Sequence, residues 1–146
     1  MDEQQLQKVK SIMNAFRLAV RNMDVSSHSG LRSFPHGSCR WASFILAKVL
    51  EDYGQEGWYI RCGEQGPSWL HSHCWLERGG YILDITADQV AGHDGPLLHR
   101  APSPFESVLH RVRSIPLSDI YDHQPILDAY RELSLAIASV HDADTP

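Results

Sequence analysis

The sequence predicts an α+β fold in which helices pack against a small antiparallel sheet. Apolar residues recur at helical spacing near both ends of the chain, and short strand-like runs follow one another in the middle. Between two of these runs lies Gly79-Gly80, a strong signal for a hairpin of antiparallel strands. A length of 146 residues, 42% of them hydrophobic, suits one domain with its own core. We therefore expect residues 1–146 to form a single domain.

Two helices are predicted in the N-terminal part. Apolar residues recur every three or four positions over 3–23, with Gln, Lys and Arg between them. A polar loop follows, and the same periodicity returns over 38–53. Ser38 suits the N-cap of this second helix, and Gly54 suits the position just after its end. The pattern thus places Cys39 in the first turn of a helix.

The strands are expected after the second helix. They span 57–62, which is rich in aromatic residues and Ile, 73–78 and 81–86, which flank Gly79-Gly80, and 107–115. Gly and Pro punctuate 91–104, which we interpret as a loop. A helical turn at 119–122 and a helix over 125–140 complete the C-terminal part (105–140), with Pro125 in the first turn of the helix. The last residues, 141–146, are predicted to be a frayed tail.

Composition argues against two classes of partner. The chain has 13 Lys and Arg against 18 Asp and Glu, a net charge of −5, so it lacks the basic surplus of a nucleic-acid binder. An uninterrupted apolar run of membrane-spanning length is absent from the sequence. We therefore expect neither a nucleic-acid nor a membrane partner; the oligomeric state is not indicated.

Cysteine usage indicates a reducing compartment. There are three cysteines, an odd number, and no Cys-x-x-Cys motif. The first ten residues contain no apolar signal core. We therefore expect a cytoplasmic protein with reduced thiols, in which Cys62 and Cys74 are packed in the core.

The predicted hairpin brings histidines close to carboxylates. A two-residue turn pairs Trp75 with Asp84, and alternation along the strands puts His71 and His73 on the same face as Asp84 and Asp88. Diagonal neighbours on such a pair lie about 7–8 Å apart at Cα, within reach of a His–Asp hydrogen bond. His73 is the favoured imidazole, with His71 as its rival, and either Asp84 or Asp88 is positioned to orient it.

Cys39 supplies a nucleophile if the start of its helix packs against the hairpin. The positive end of a helix stabilises a thiolate. The first-turn backbone N–H groups, those of Cys39 and Arg40, are suited to hold an oxyanion. A cysteine on an amphipathic helix is more often plain core, so the hypothesis depends on His73 as base and Asp84 as its partner.

Three motifs in this region resemble the transglutaminase-like branch of the papain-like superfamily. They are GSCRWA at 37–42, HCWLE at 73–77 and GYILDIT at 80–86, and the resemblance covers residues 34–90. It implies a papain-like core in which the nucleophile helix packs on a small antiparallel sheet, with flanking N- and C-terminal helices. It also implies that Cys39 is the nucleophile, His73 the general base and acid, and Asp84 the orienting carboxylate.

The chain departs from this family pattern at two points. Cys74 stands where a small residue usually follows the histidine. No Gln lies in the segment just before Cys39 to donate to an oxyanion from its side chain, so that role falls to backbone N–H groups or to a group not yet identified. The chain is also short for a protein-crosslinking transglutaminase.

The function expected from these residues is cysteine-dependent acyl transfer without a cofactor. A Cys39 thiolate attacks an amide-type carbonyl, and water or an amine then resolves the thioester. This covers a protease, amidase, deamidase or small acyltransferase acting on a protein, a peptide or a small amide. The residues expected to line the substrate site are His36, Trp69, His71 and Trp75.

Two other classes of function remain open from the sequence. One is zinc binding, in which two ligands from each of two segments meet: His36, Cys39, His71 and His73. The other is a catalytically inactive papain-like module that binds a partner, with the Gly- and Pro-rich segment 92–104 as the contacting loop.

Overall fold

The computed structural model describes residues 1–90 and 93–143, and its helices match those predicted. The first helix, α1, spans Glu3–Asn22 and opens with a capping box between Asp2 and Gln5. The second, α2, spans Cys39–Asp52, and the third, α3, spans Gln124–Ala143. A 3₁₀ segment at Leu117–Asp122 confirms the predicted turn before α3.

The strands form one antiparallel sheet of five in the described part of the chain. Its strands are β1 (Tyr59–Glu64), β2 (His73–Arg78), β3 (Tyr81–Asp84), β4 (Leu97–Arg100) and β5 (His110–Ile115). Their spatial order is β4-β3-β2-β1-β5, and every neighbouring pair is antiparallel. The α+β prediction is confirmed.

Some predicted boundaries were wrong. The first strand begins at Tyr59, not at Gly57, because the chain turns at Gly57 with a positive φ of 96°. It ends at Glu64, two residues later than predicted. β4 lies within 91–104, which was predicted as loop; its four residues pair with β3, a contact that local composition does not show. The last helix extends to Ala143, while 91–92 and 144–146 lie outside the described residues.

The two faces of the sheet bury separate apolar clusters. The larger lies between the sheet and the three helices and includes Phe16, Ile45 and Leu76. The smaller covers the opposite face and includes Trp75 and Phe105. Successive residues of β2 therefore point into different cores. None of the helices in the described ranges combines the length and apolarity that crossing a membrane requires.

Cys62 and Cys74 are joined in a disulfide, so the prediction of reduced, separately packed thiols was wrong for these two residues. They lie directly opposite each other on β1 and β2, with their Cα atoms 4.2 Å apart. The sequence specified only the pairing of β2 with β3, and the bond depends on the pairing of β2 with β1. The expectation of a cytoplasmic protein, which used reduced thiols as a premise, loses that support.

Candidate active site

The ends of three elements bring Cys39, His73 and Asp84 together. Cys39 is the first residue of α2, His73 is the first of β2 and Asp84 is the last of β3. The start of β2 lies beside the end of β3 because the two strands form a tight antiparallel hairpin. Both residues of its turn, Gly79 and Gly80, have positive φ, of 54° and 81°, which glycine adopts without strain.

His73 and Asp84 form a buried hydrogen-bonded pair. The His73 Nε2 atom lies 2.6 Å from Asp84 Oδ2, and neither side chain is exposed to solvent. The other carboxylate oxygen of Asp84 accepts from the backbone N–H of Thr86 at 3.2 Å. With both oxygens engaged, the carboxylate is fixed in place and orients the imidazole through Nε2.

The environment of His73 favours its protonated form. Burial lowers the pKa of the imidazole, since the charged ring loses its hydration. The Asp84 carboxylate acts against burial through its charge and its hydrogen bond, and interaction with the Cys39 thiol acts in the same direction. The pKa of His73 consequently rises from 6.5 to about 9. The thiol thus interacts with the ring, as a nucleophile and base require.

The backbone N–H groups at the start of α2 receive no hydrogen bond from the Ser38 side chain. Ser38 occupies the N-cap position as predicted, but its side chain makes no capping bond. Its hydroxyl instead donates to the carbonyl of His36 at 3.2 Å. The N–H groups of Cys39 and Arg40 are therefore free of this competitor for an oxyanion.

A cleft of about 410 Å³ opens beside the half-buried Cys39 thiol. Three of the predicted substrate-site residues, His36, Trp69 and His71, border it. The fourth, Trp75, was misplaced: it is fully buried on the other side of the imidazole, with its ring stacked on that of His73 at 6.1 Å between centroids. Trp75 packs against the imidazole within the smaller core, which covers this face of the sheet.

Asp88 and His71, the alternatives to Asp84 and His73, do not take part in the buried pair. Asp88 is bound by Arg17 of α1, whose two terminal nitrogens donate to the two carboxylate oxygens at 2.8 and 2.5 Å. His71 is exposed at the cleft, two residues before β2 begins. In the structure it is His73 and Asp84 that pair, and Asp88 serves to hold the turn after β3 against α1.

Sequence reasoning missed Gln89. This residue ends the 3₁₀ turn Ala87–Gln89, borders the cleft, and places its amide Nε2 at 2.8 Å from His73 Nδ1. Within the described part of the chain its amide oxygen is buried without a hydrogen-bond partner. No motif marks Gln89, since its position depends on how the chain turns after Asp84. Phe105, also missed, packs edge-on against the His73 ring at 5.0 Å.

The four proposed zinc ligands do not assemble into a site. Among residues 1–90 and 93–143, no three His, Cys, Asp or Glu side chains are grouped as metal ligands would be. His73 has Asp84 on one ring nitrogen and Gln89 on the other.

Comparison of the chain with protein-family models, with curated proteins and with solved structures finds no match. The interpretation of the site therefore depends on the residues and geometry described above.

Proposed function

We propose that this protein is a cysteine-dependent acyl-transfer enzyme of the transglutaminase-like, papain-related kind, acting on amide-type bonds. The observation that carries the proposal is the meeting of a free cysteine at a helix start with a buried His73–Asp84 pair, beside an open cleft. A buried ion pair is costly to maintain, so its placement against a nucleophile favours a chemical role over a packing role.

The reacting form of the site is the Cys39 thiolate beside the protonated His73 ring, which the raised pKa of the imidazole favours. Nε2 of the ring is held by Asp84, so the proton that can be transferred is the one on Nδ1. The thiolate then attacks the substrate carbonyl carbon, and the first-turn N–H groups of α2 stabilise the oxygen that becomes negative. As this intermediate collapses, the Nδ1 proton passes to the leaving nitrogen, which departs as an amine and leaves a thioester on Cys39.

The second half restores the enzyme. Water or an amine loses a proton to His73 Nδ1 as it attacks the thioester carbonyl, and the Cys39 thiol is then regenerated with that proton. Hydrolysis yields an acid, and attack by an amine yields a new amide. Both routes use the same three side chains, and the geometry favours neither.

Gln89 has to respond to each proton transfer. A neutral ring with its proton on Nε2 accepts a hydrogen bond from the Gln89 amide N–H at Nδ1. When Nδ1 carries a proton, two donors face each other in that orientation and the contact is repulsive. A half-turn of the amide then presents its oxygen to the Nδ1 proton, and this oxygen has no other hydrogen-bond partner in the described part of the chain. In this way Gln89 stabilises both protonation states of His73 and acts as a positioning residue.

Alkylation of Cys39 by iodoacetamide near pH 6 tests the proposal. Cys62 and Cys74 are joined in a disulfide, so Cys39 is the free thiol of the three cysteines, and intact mass reports its reaction directly. We expect the wild type to react at least about tenfold faster than a small reference thiol, because the imidazolium stabilises the thiolate. His73→Ala should abolish the advantage, while the matched control His71→Ala should keep it.

Equal rates in wild type and His73→Ala would show that the imidazole does not activate Cys39. The inactive binding module predicts that result. Loss of the advantage in His71→Ala alone would transfer the role of base to the exposed histidine.

A further inference from the structure

The cleft beside Cys39 has a charge pattern opposite to that of the whole chain. The chain has a net charge of −5 and 18 acidic residues. Of the eleven residues that the structure places around the cleft, Arg40, His36 and His71 have basic side chains, and none is Asp or Glu. A concave site lined by one sign of charge concentrates ligands of the other sign.

Arg40 is the fixed positive charge of this cleft. It follows the nucleophile directly in the first turn of α2, and its side chain is exposed. Its guanidinium lies 5.7 Å from the centroid of the Phe44 ring, one helical turn further on. Arg17 and Arg61 are neutralised by Asp88 and Glu106, whereas no acidic side chain of the described residues forms an ion pair with Arg40. Its donors are therefore available to a ligand in the cleft.

The remaining walls offer apolar contact. The Trp69 side chain is 58% exposed at the rim, while Leu70 and Val90 are almost fully buried in the lining. A cleft bordered by an exposed indole and a guanidinium suits a ligand that combines a flat or aliphatic part with an anionic group.

On the basis of the proposed acyl-transfer function, we infer that the substrate has an anionic group, such as a carboxylate, close to the carbonyl attacked by Cys39. Arg40 pairs with that group, and Trp69 covers the apolar part next to it. The positive cleft thus selects acidic acyl donors although the protein as a whole is acidic.

The two reagents iodoacetate and iodoacetamide separate charge selection from thiol activation. They alkylate Cys39 by the same displacement of iodide, but iodoacetate is an anion and iodoacetamide is neutral. We expect the ratio of their rate constants to exceed that of a neutral reference thiol by about threefold or more, and to fall with added salt. Arg40→Gln should lower this ratio. Arg131→Gln, which removes the same charge from an exposed side chain of α3, should leave the ratio unchanged.

A pair of esters extends the test to acyl transfer. The ratio of kcat/KM for the anionic 4-nitrophenyl hemisuccinate to that for neutral 4-nitrophenyl acetate should be higher in the wild type than in Arg40→Gln. A reagent ratio equal to that of the reference thiol, or unchanged in Arg40→Gln, overturns the inference. Failure of the acyl-transfer proposal is a separate result, since Cys39 would then react with iodoacetamide like an ordinary thiol.

Discussion

His73 and Cys74 are adjacent in β2 and project into opposite faces of the sheet, where they meet very different surroundings. His73 pairs with Asp84 and stacks on Trp75 within the smaller core. Cys74 is bonded to Cys62 within the larger core under the helices. One face therefore holds a buried charge pair, and the other holds a covalent link between two strands.

This difference separates a chemical task from a structural one. Burying an imidazole and a carboxylate costs desolvation energy, and the hydrogen bond between them offsets this cost only if the two groups are held at the right distance and angle. The disulfide and the helix-side core stabilise the sheet from its other face. The following predictions break each face in turn.

The largest effect is expected from Asp84→Asn. It leaves His73 buried without its charged partner, which should reduce the free energy of unfolding by about 3–5 kcal/mol. Ester hydrolysis should fall by about 10³-fold or more, because the ring loses its orienting carboxylate. Urea unfolding measures the loss of stability, and a kinetic assay measures the loss of ester hydrolysis. Asp88→Asn is the matched control: it weakens the two bonds to Arg17 and affects the site only through the turn that bears Gln89, so the rate should fall by no more than about tenfold. Comparable losses in both variants would refute the special role of Asp84.

Raising the pH should weaken the same face in the wild type. The pKa of His73 is about 9 in the folded protein and 6.5 in the unfolded chain, so between these values the folded state binds more protons. The contribution of the pair is complete below 6.5 and is lost as the pH rises through about 9. The expected decrease is about 3 kcal/mol.

Unfolding by urea at several pH values between about 6 and 10 measures this loss. The variant His73→Gln should lack this component of the pH dependence. A wild-type stability that rises over the same interval contradicts the assigned direction of the pKa shift.

Breaking the opposite face should affect stability much more than catalysis. The double variant Cys62→Ala, Cys74→Ala removes a link between residues 12 apart, with an expected cost of about 2–3 kcal/mol. Ester hydrolysis should stay within about threefold of wild type, since neither residue contacts the cleft. A reductant should destabilise the wild type and leave the double variant unaffected. Equal responses would mean that the disulfide does not support the strand.

The smallest effect is expected at Gln89. Replacing it with Ala removes one hydrogen bond to His73 Nδ1, worth about 1 kcal/mol, so the rate should fall about threefold to tenfold. Gln89→Glu places a carboxylate there, which should move the alkaline limb of the pH–rate profile to higher pH. The pH–rate profile distinguishes a positioning role from a purely structural one. Identical profiles in the wild type, Gln89→Ala and Gln89→Glu would show that Gln89 does not influence the His73 ring.

The hairpin shows how much of this site was predictable from the sequence. The Gly-Gly turn set the register, and the observed pairing of Arg78 with Tyr81 and of Leu76 with Leu83 confirms it. That register is sufficient to bring His73 next to Asp84. It depends only on residues close together in the chain, which is why alternation and turn chemistry specified it.

Features that depend on distant pairings were not predictable in this way. The disulfide required knowledge that β1 lies beside β2. The burial of Trp75 required knowing that Phe105 and its neighbours cover the second face. Gln89 reaches the imidazole because Arg17, on another helix, holds the turn that bears it. Patterns in a single sequence predict individual helices and strands. The disulfide, the burial of Trp75 and the position of Gln89 depend on how helices and strands pack against one another.

The most direct test of the central claim is detection of an acyl-enzyme on Cys39. After brief reaction with 4-nitrophenyl acetate and acid quench, intact mass and peptide mapping should locate one acetyl group on Cys39, accompanied by a burst of nitrophenolate. His73→Ala should suppress the burst, and Cys39→Ser should remove the label from this position. Acetylation that is absent from Cys39, or that proceeds equally fast without His73, would contradict the account.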